Sequence, residues 1–198
     1  RRTFLKGMGL AAGATMLISD RAPAQETEEK PQTPGLKEYG RQAMPVTLNI
    51  NGKKHRLKVE PRTTLLDALR HQLDLTGSKE ICDRGACSGC TVLFDGRAIT
   101  SCMMLAVDAQ GHEIMTAEGM AKDPRYKNIF EAFYENDAAQ CGYCIPGFVV
   151  RTAAFLKEVP NPTREQIAEG VAGNVCRCGT YQKIADAIES AAAKGGVR

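Results

Sequence analysis

Apolar residues occupy every second position in the stretch between residues 44 and 59. Val46, Leu48 and Ile50 alternate with polar residues, and the alternation resumes after the pair Asn51–Gly52. A period of two is typical of a β-strand with one buried face, and Asn-Gly favours a two-residue hairpin turn. The pattern therefore predicts a β-hairpin.

A helical pattern follows the hairpin. Thr64 and Asp67 have the spacing of a capping box, and leucines at helical spacing follow them. The sequence then predicts a second hairpin, with strands over 91–94 and 97–102, and a last strand over 113–116. Two hairpins, a strand and one helix predict a small sheet crossed by the helix, which is an α+β arrangement.

Residues after about 119 show helical patterns instead of alternation. Four short helices are predicted. The sequence shows no internal repeat between the two halves. We expect the aromatic and methionine side chains to lie mostly in the core, because each half is small for an independent hydrophobic core. The helical predictions are an apolar face of Ile129, Phe130, Phe133 and Tyr134, a helix whose first turn holds Pro146, a helix capped by Thr163 and Gln166, and a helix over 181–193. The expected core includes Phe94, Phe130, Phe133, Met103, Met104 and Met115.

The first 24 residues form a candidate export signal. Arg1–Lys6 resembles the core of a twin-arginine signal, and a weakly apolar run follows that is shorter than the roughly 20 residues needed to span a bilayer. Ala22–Ala24 supplies a small-residue cleavage site, so we expect cleavage after Ala24 and a periplasmic protein without a membrane span. A disordered or amphipathic tail is the alternative. Residues 25–43 are rich in Glu, Gln, Lys and Pro and are predicted to be a linker.

The composition is that of an ordinary globular protein. The 198 residues are 43% apolar and 25% charged, which argues against disorder throughout. The net charge of +3 is small and evenly spread, so nucleic-acid binding is not expected. The sequence has no phosphate-binding P-loop, flavin-binding pattern or nucleophile arrangement, and His55, His71 and His112 are expected at the surface. We therefore expect no substrate chemistry on this chain.

The eight cysteines of the chain fall into two sets of four. The first set has the spacing C-x4-C-x2-C followed by a distant fourth cysteine, which is the plant-type arrangement around a two-iron, two-sulfur cluster. Gly85 and Gly89 allow tight turns that point backbone N–H groups at the sulfurs. Lys79 and Arg84 would offset the negative charge of such a cluster. Zinc and disulfides are the competing interpretations. The first set is Cys82, Cys87, Cys90 and Cys102.

The second set has two close pairs, C-x2-C and C-x-C. This spacing suits either zinc or a cluster. The first pair precedes a predicted helix, whose N-terminal dipole would stabilise thiolate charge. A disulfide within C-x-C would be strained, although disulfides are common in an oxidising compartment. The second set is Cys141, Cys144, Cys176 and Cys178.

Three motifs, found in order along the chain, carry a resemblance to a known family. Cys82–Val92, Gln140–Gly147 and Gly173–Tyr181 resemble the small iron–sulfur subunit of the molybdenum hydroxylases, the xanthine dehydrogenase and aldehyde oxidoreductase family. The match runs from about residue 44 to residue 193. With the candidate export signal included, the chain most resembles the small subunit of the periplasmic aldehyde oxidoreductases.

The resemblance implies a plant-type ferredoxin-like (β-grasp) domain over 44–119, followed by an all-α four-helix domain over 120–198. Each domain would hold one [2Fe–2S] cluster, and all eight cysteines would be iron ligands. Gln140 and Cys178 would approach a molybdopterin cofactor held by a separate large subunit, although Gln140 could also simply cap its loop. Electrons would leave through the first cluster, commonly to an FAD subunit or another acceptor. A stand-alone two-cluster carrier and a secreted, disulfide-stapled binding module are the alternative functions.

Two positions depart from the family pattern. Ile81 stands before the first ligand, where glycine is common, and Ile145 stands where threonine is usual. Because all eight candidate ligands are intact, neither change is expected to prevent cluster binding. Both could alter the hydrogen bonds to sulfur and therefore the reduction potential.

Overall fold

The computed structural model describes residues 39–197 of the chain. The candidate export signal, residues 1–24, and most of the candidate linker lie outside the described residues. The described part combines a five-stranded sheet with helices, which confirms the α+β prediction. None of its helices has the length and apolar character needed to cross a membrane.

The sheet contains one parallel strand pair and is otherwise antiparallel. Its strand order is β2-β1-β5-β3-β4, with β1 and β5 forming the parallel pair. Asn51 and Gly52 make the first hairpin turn with φ of 52° and 75°, as Asn-Gly favours. Both predicted hairpins are present. The strands are β1 (Met44–Ile50), β2 (Lys53–Val59), β3 (Thr91–Phe94), β4 (Arg97–Thr100) and β5 (Glu113–Met115).

Helices account for most of the chain after β5. The predicted capping boxes are confirmed at Thr64, which accepts from the Asp67 N–H at 3.1 Å, and at Thr163. The first helix is α-helical for one turn and then continues as a π-helix over Ala68–Gln72. The α-helices are α1 (Leu65–Asp67), α2 (Ala117–Ala121), α3 (Lys127–Glu135), α4 (Ile145–Glu158), α5 (Arg164–Gly170) and α6 (Tyr181–Ala193).

Strand β3 connects the two halves of the fold. Its neighbouring residues Val92 and Leu93 point to opposite faces of the sheet, as side chains on a strand do. Val92 packs in a core with Leu69 of the first helix, whereas Leu93 packs in the helical core with residues of α4 such as Phe148. The sheet is therefore covered by the first helix on one face and by α4 on the other.

One helix was missed, and three local predictions were wrong. The helix α2, which starts at Ala117, was not predicted, because five residues that include Gly119 carry no helical apolar pattern. Strand β4 ends at Thr100, and Cys102 lies in a 3₁₀ turn rather than in the strand. Tyr134 is 88% exposed, because it lies about 100° around α3 from the buried Phe133. Met103 is 65% exposed and lies against Gly85 at the surface instead of in the core.

Candidate metal centres

The first set of cysteines gathers at one end of the sheet. The thiols of Cys82 and Cys87 are neighbours, and those of Cys90 and Cys102 form a second neighbouring pair. Cys102 also interacts electrostatically with Cys82, so the two pairs are neighbours. All eight cysteines of the chain are free thiols.

The loop between Cys82 and Cys90 points backbone N–H groups at sulfur. The Gly85 N–H donates to Cys102 Sγ at 3.3 Å. Gly85 has a φ of 71°, a left-handed conformation that glycine adopts without strain. The Arg84 N–H bonds the Cys82 sulfur and, with help from the amides of Ala86 and Cys87, lowers the pKa of Cys82 to about 7. The loop therefore stabilises negative charge on its sulfurs.

Burial acts in the opposite direction on the pKa of two other thiols of this set, Cys87 and Cys102. It raises the pKa of Cys87, and it raises the pKa of Cys102 to about 11. Leu66 packs on Cys90 and Cys102 and keeps this pair away from water. A metal ion next to such thiols favours their thiolate form.

A turn after β4 brings Cys102 to its partner. Ser101 donates to the carbonyl oxygen of Cys90 twice, from its N–H at 3.3 Å and from its Oγ at 2.7 Å. Ser101 is completely buried, so this anchor is shielded from solvent. Strand β4 therefore ends at Thr100 instead of Cys102, because the 3₁₀ turn after it holds Cys102 against the cysteine loop.

The second set of cysteines lies at the start of α4 and before α6. Cys144 is the N-cap residue of α4, and Pro146 lies in the first turn of this helix, as predicted. The thiol of Cys144 pairs with that of Cys176, and Cys141 interacts electrostatically with Cys144. Burial, together with the neighbouring Cys176, raises the pKa of Cys144 to about 12.

Thr180 is the principal polar partner of Cys176. Burial raises the pKa of Cys176, but bonds from the Thr180 side chain and backbone and from Cys144 and Cys178 bring it to about 7. The Thr180 Oγ1 lies 3.1 Å from Cys176 Sγ. The Cys176 N–H in turn donates to the hydroxyl of Tyr181 at 2.9 Å. Thr180, the N-cap of α6, and Tyr181, the first residue of α6, therefore fix the position of Cys176.

Gln140 and Cys178 lie at the accessible side of the second set. Gln140 is exposed, and Cys178 is partly buried. Among residues 39–197, Gln140 makes no hydrogen bond that would cap its loop. Both residues can therefore be reached from outside the chain, as a contact with a partner's cofactor would require.

The sulfur-only donor sets fit a two-iron cluster. The thiols meet in pairs: Cys82 with Cys87, Cys90 with Cys102, and Cys144 with Cys176. A [2Fe–2S] cluster takes four thiolates, two on each iron. The pairing and the N–H groups aimed at sulfur both suit such a cluster.

The two cysteine sets are joined by a direct backbone contact, which we call the seam. The Val175 N–H donates to the carbonyl oxygen of Cys87 at 3.0 Å, and the side chain of Asn174 donates to Ser88 O at 3.3 Å. Gly147 of α4 lies against the same loop, because a Cβ at this position would be 2.5 Å from Ser88 O. The seam therefore links the residue before Cys176 to a residue of the first set.

Sequence reasoning missed the residues that make the seam and the Cys176 bonds. Asn174, Val175 and Thr180 all belong to the third motif, but their spacing from the cysteines gives no indication of a partner. The departure at Ile81 has a visible consequence, since its side chain is half exposed and lies against Gly89. Ile145 is partly buried against the helical core.

A cavity of the described part of the chain lies away from the cysteines. It has a volume of about 600 Å³ and includes Ile50, Leu73 and Lys122 in its lining, which contains no cysteine. The three histidines are at least partly exposed, and His112 bonds Asp95 at 2.6 Å. Neither feature adds a donor to the two cysteine sets.

Comparisons with known proteins match both halves of the chain. A model of the 2Fe-2S iron-sulfur cluster binding domain matches residues 48–116, and a model of the [2Fe-2S] binding domain matches residues 116–189. The chain is 39% identical to the aldehyde oxidoreductase iron-sulfur-binding subunit PaoA of Escherichia coli O157:H7, across 97% of this chain and 87% of that protein. It is 42% identical to the nicotinate dehydrogenase small FeS subunit of Eubacterium barkeri, across 74% of this chain and 93% of that protein.

Solved structures agree with these matches. A chain of quinoline 2-oxidoreductase from Pseudomonas putida 86 superposes with a TM-score of 0.73 at 40% identity, covering 79% of this chain and 99% of that one. The aldehyde oxidoreductase from Desulfovibrio desulfuricans ATCC 27774 superposes with a TM-score of 0.70 at 36% identity, covering 77% of this chain but 17% of that one.

The matched models and the paired thiols define an iron–sulfur protein of the 2Fe-2S type. The chain belongs to the family of iron–sulfur small subunits of the molybdenum hydroxylases, the oxidoreductases that include xanthine dehydrogenase and aldehyde oxidoreductase.

Proposed function

We propose that this chain is the electron-transfer subunit of a periplasmic molybdenum hydroxylase and holds two [2Fe–2S] clusters. The first cluster is held in a plant-type ferredoxin-like domain over 44–119, and the second in a helical domain over 120–198. The seam carries this proposal, because it places the two sets of candidate ligands in direct backbone contact. The ligands of the first cluster are Cys82, Cys87, Cys90 and Cys102, and those of the second are Cys141, Cys144, Cys176 and Cys178.

The chain's own residues provide the environment that such clusters need. Each cluster, when bound, accepts and releases one electron. With iron bound to the cysteines, the Gly85 N–H and the Thr180 hydroxyl would both donate to cysteine sulfur and stabilise the extra negative charge of the reduced state. Leu66 excludes water from Cys90 and Cys102. The seam gives the electron a short route from Cys176 to Cys87. This route runs through the covalent backbone to Val175 and then across the hydrogen bond from the Val175 N–H to the Cys87 carbonyl oxygen.

The two ends of this route face different partners. Gln140 and Cys178 are accessible at one end, where we place the molybdopterin cofactor held by a large partner subunit. Ile81 and Met103 are exposed beside the first cysteine set at the other end, where an FAD subunit or another acceptor would bind. Substrate oxidation takes place on the large subunit, and this chain carries the electrons away from it.

The substrate class is proposed from the relatives. The relative whose alignment spans 97% of this chain is a subunit named for aldehyde oxidoreductase, which supports an aldehyde. Other relatives of similar identity are named for nicotinate and caffeine dehydrogenases, but their alignments span less of this chain. The periplasmic location is supported by the twin-arginine pattern of Arg1–Lys6.

Purification of the affinity-tagged chain from its native host tests the assembly. We expect a large subunit to co-purify and the complex to contain molybdenum. Oxidation of an added aldehyde should reduce the iron–sulfur clusters and so lower their absorbance. A chain that purifies without molybdenum, but with its clusters, would instead be a stand-alone carrier. A colourless chain with four disulfides by non-reducing mass analysis would be a stapled binding module.

A further inference from the structure

Lys79 contacts the loops of both cysteine sets. Its N–H donates to the carbonyl oxygen of Gly89 at 3.0 Å, beside Cys90 of the first set. Its ammonium group lies 5.4 Å from the centre of the Tyr143 ring. Tyr143 immediately precedes Cys144 of the second set. One cation is therefore anchored on the first loop and extends over the second.

The contact with Tyr143 positions this cation. An ammonium group within about 6 Å of an aromatic ring centre is attracted by the negative charge of the ring face. Lys79 is partly buried, which restricts its side chain, and Tyr143 is 49% exposed. The backbone bond to Gly89 fixes the other end of Lys79.

The charge of Lys79 is not neutralised locally. Within the part of the chain that the structure describes, no carboxylate forms an ion pair with it. Its neighbour Glu80 lies 3.9 Å from His71 of the first helix. The positive charge therefore remains available to act on the groups beside Tyr143.

A fixed positive charge favours the more negative of two redox states. A [2Fe–2S] cluster with four thiolates gains one negative charge on reduction. The interaction is stronger where the surroundings are partly shielded from water, as at the buried Cys144. The ammonium of Lys79 lies over Tyr143, on the loop that carries Cys141 and Cys144, whereas the backbone of Lys79 bonds the first loop.

From this geometry we propose that Lys79 raises the reduction potential of the cluster held by Cys141, Cys144, Cys176 and Cys178. This inference rests on the proposed function, since it requires that cluster. It assigns Lys79 a role in positioning charge, and Tyr143 the role of holding the ammonium group in place. The potential of this cluster in turn sets how readily it accepts an electron from the partner's cofactor.

Redox titrations of the purified complex, followed by electron paramagnetic resonance, test this role. Lys79→Met should make reduction of the second cluster less favourable by several-fold to about tenfold, where tenfold corresponds to about 59 mV for one electron. Lys79→Arg keeps the charge and the stacking and should stay within about twofold of the wild type. Lys54→Met, which removes an exposed charge on strand β2, is the matched control and should change nothing.

An unchanged potential in a Lys79→Met complex that retains its iron would overturn the inference. If Lys79→Met loses iron, Tyr143→Leu provides the second test, because it releases the ammonium group and keeps the charge. Its second-cluster potential should fall, and an unchanged value would also overturn the inference. Iron and labile sulfide are also measured in the wild-type complex. Their absence there would contradict the proposed function, whereas an unchanged potential in the variants contradicts only the role of Lys79.

Discussion

The Val175 N–H donates a hydrogen bond of 3.0 Å to the carbonyl oxygen of Cys87. Val175 directly precedes Cys176, so this bond connects the backbone of the second cysteine set to a member of the first. Asn174, in the same loop as Val175, and Gly147 of α4 contact the same stretch of the first loop. The halves of the fold are therefore joined at the point where electron transfer between their clusters would occur.

Cys87→Ser tests the direction of electron flow. We expect the substitution to remove the paramagnetic signal of the first cluster and leave that of the second, because Thr180 and Cys144 hold the second set independently of Cys87. Transfer to external acceptors should be lost, while reduction of the second cluster by substrate survives. Steady-state turnover with an artificial acceptor measures this. Wild-type turnover in a variant without the first signal would show that electrons leave by another route.

Gly147→Ala tests the seam. An alanine inside a helix is normally more favourable than glycine by roughly 0.5–1 kcal/mol. Here its Cβ would lie 2.5 Å from the backbone oxygen of Ser88, so we expect a net loss of about 1–3 kcal/mol in the free energy of unfolding. Gly173→Ala is the matched control, because its Cβ would lie at an ordinary 3.6 Å from Ser88 Oγ. Urea unfolding compares the two, and a stabilised Gly147→Ala variant would mean that the seam is not tightly packed.

Thr180→Val tests the hydrogen bond to Cys176. An iron-bound thiolate can only accept a hydrogen bond, so the Thr180 hydroxyl must be the donor across the 3.1 Å contact. Its loss should make reduction of the second cluster less favourable, since the hydroxyl stabilises the added negative charge. Thr180→Ser keeps the hydroxyl and should retain the wild-type potential. Equal potentials for the valine and serine variants would show that this bond does not tune the cluster.

Arg2→Lys tests the export signal. A twin-arginine pathway requires both arginines of its core pattern, so we expect less of the variant in the periplasm and more of its precursor in the cytoplasm. Cell fractionation followed by immunoblotting measures the distribution, and a cytoplasmic enzyme verifies the fractions. An undiminished periplasmic yield would count against the twin-arginine interpretation of residues 1–24.

Local patterns in the sequence predicted much of the fold. Asn51–Gly52 specifies a hairpin through its backbone preferences, and Thr64 and Thr163 specify helix starts through bonds to residues three positions away. Such features are local, so the sequence contains all the information they need. The π-helical turn over Ala68–Gln72 was not predicted, because the leucine spacing behind the helix prediction does not distinguish it from an α-helical turn.

Contacts between distant residues could not be predicted. The seam joins Cys87 to Val175, and neither residue has a local feature that indicates the other. Met103 was expected in the core and Tyr134 on the apolar face of its helix, yet both are exposed, because apolar character alone does not say which face of a turn or helix is covered. The eight cysteines were identified by spacing, but only the structure shows which thiols pair.

Iron and labile sulfide analysis of the purified chain, combined with electron paramagnetic resonance of the reduced protein, tests the central claim most directly. Two [2Fe–2S] clusters require about four irons and about four labile sulfides per chain, with two distinct paramagnetic signals. This is the result we predict. One equivalent of zinc, or iron without labile sulfide, would contradict the account.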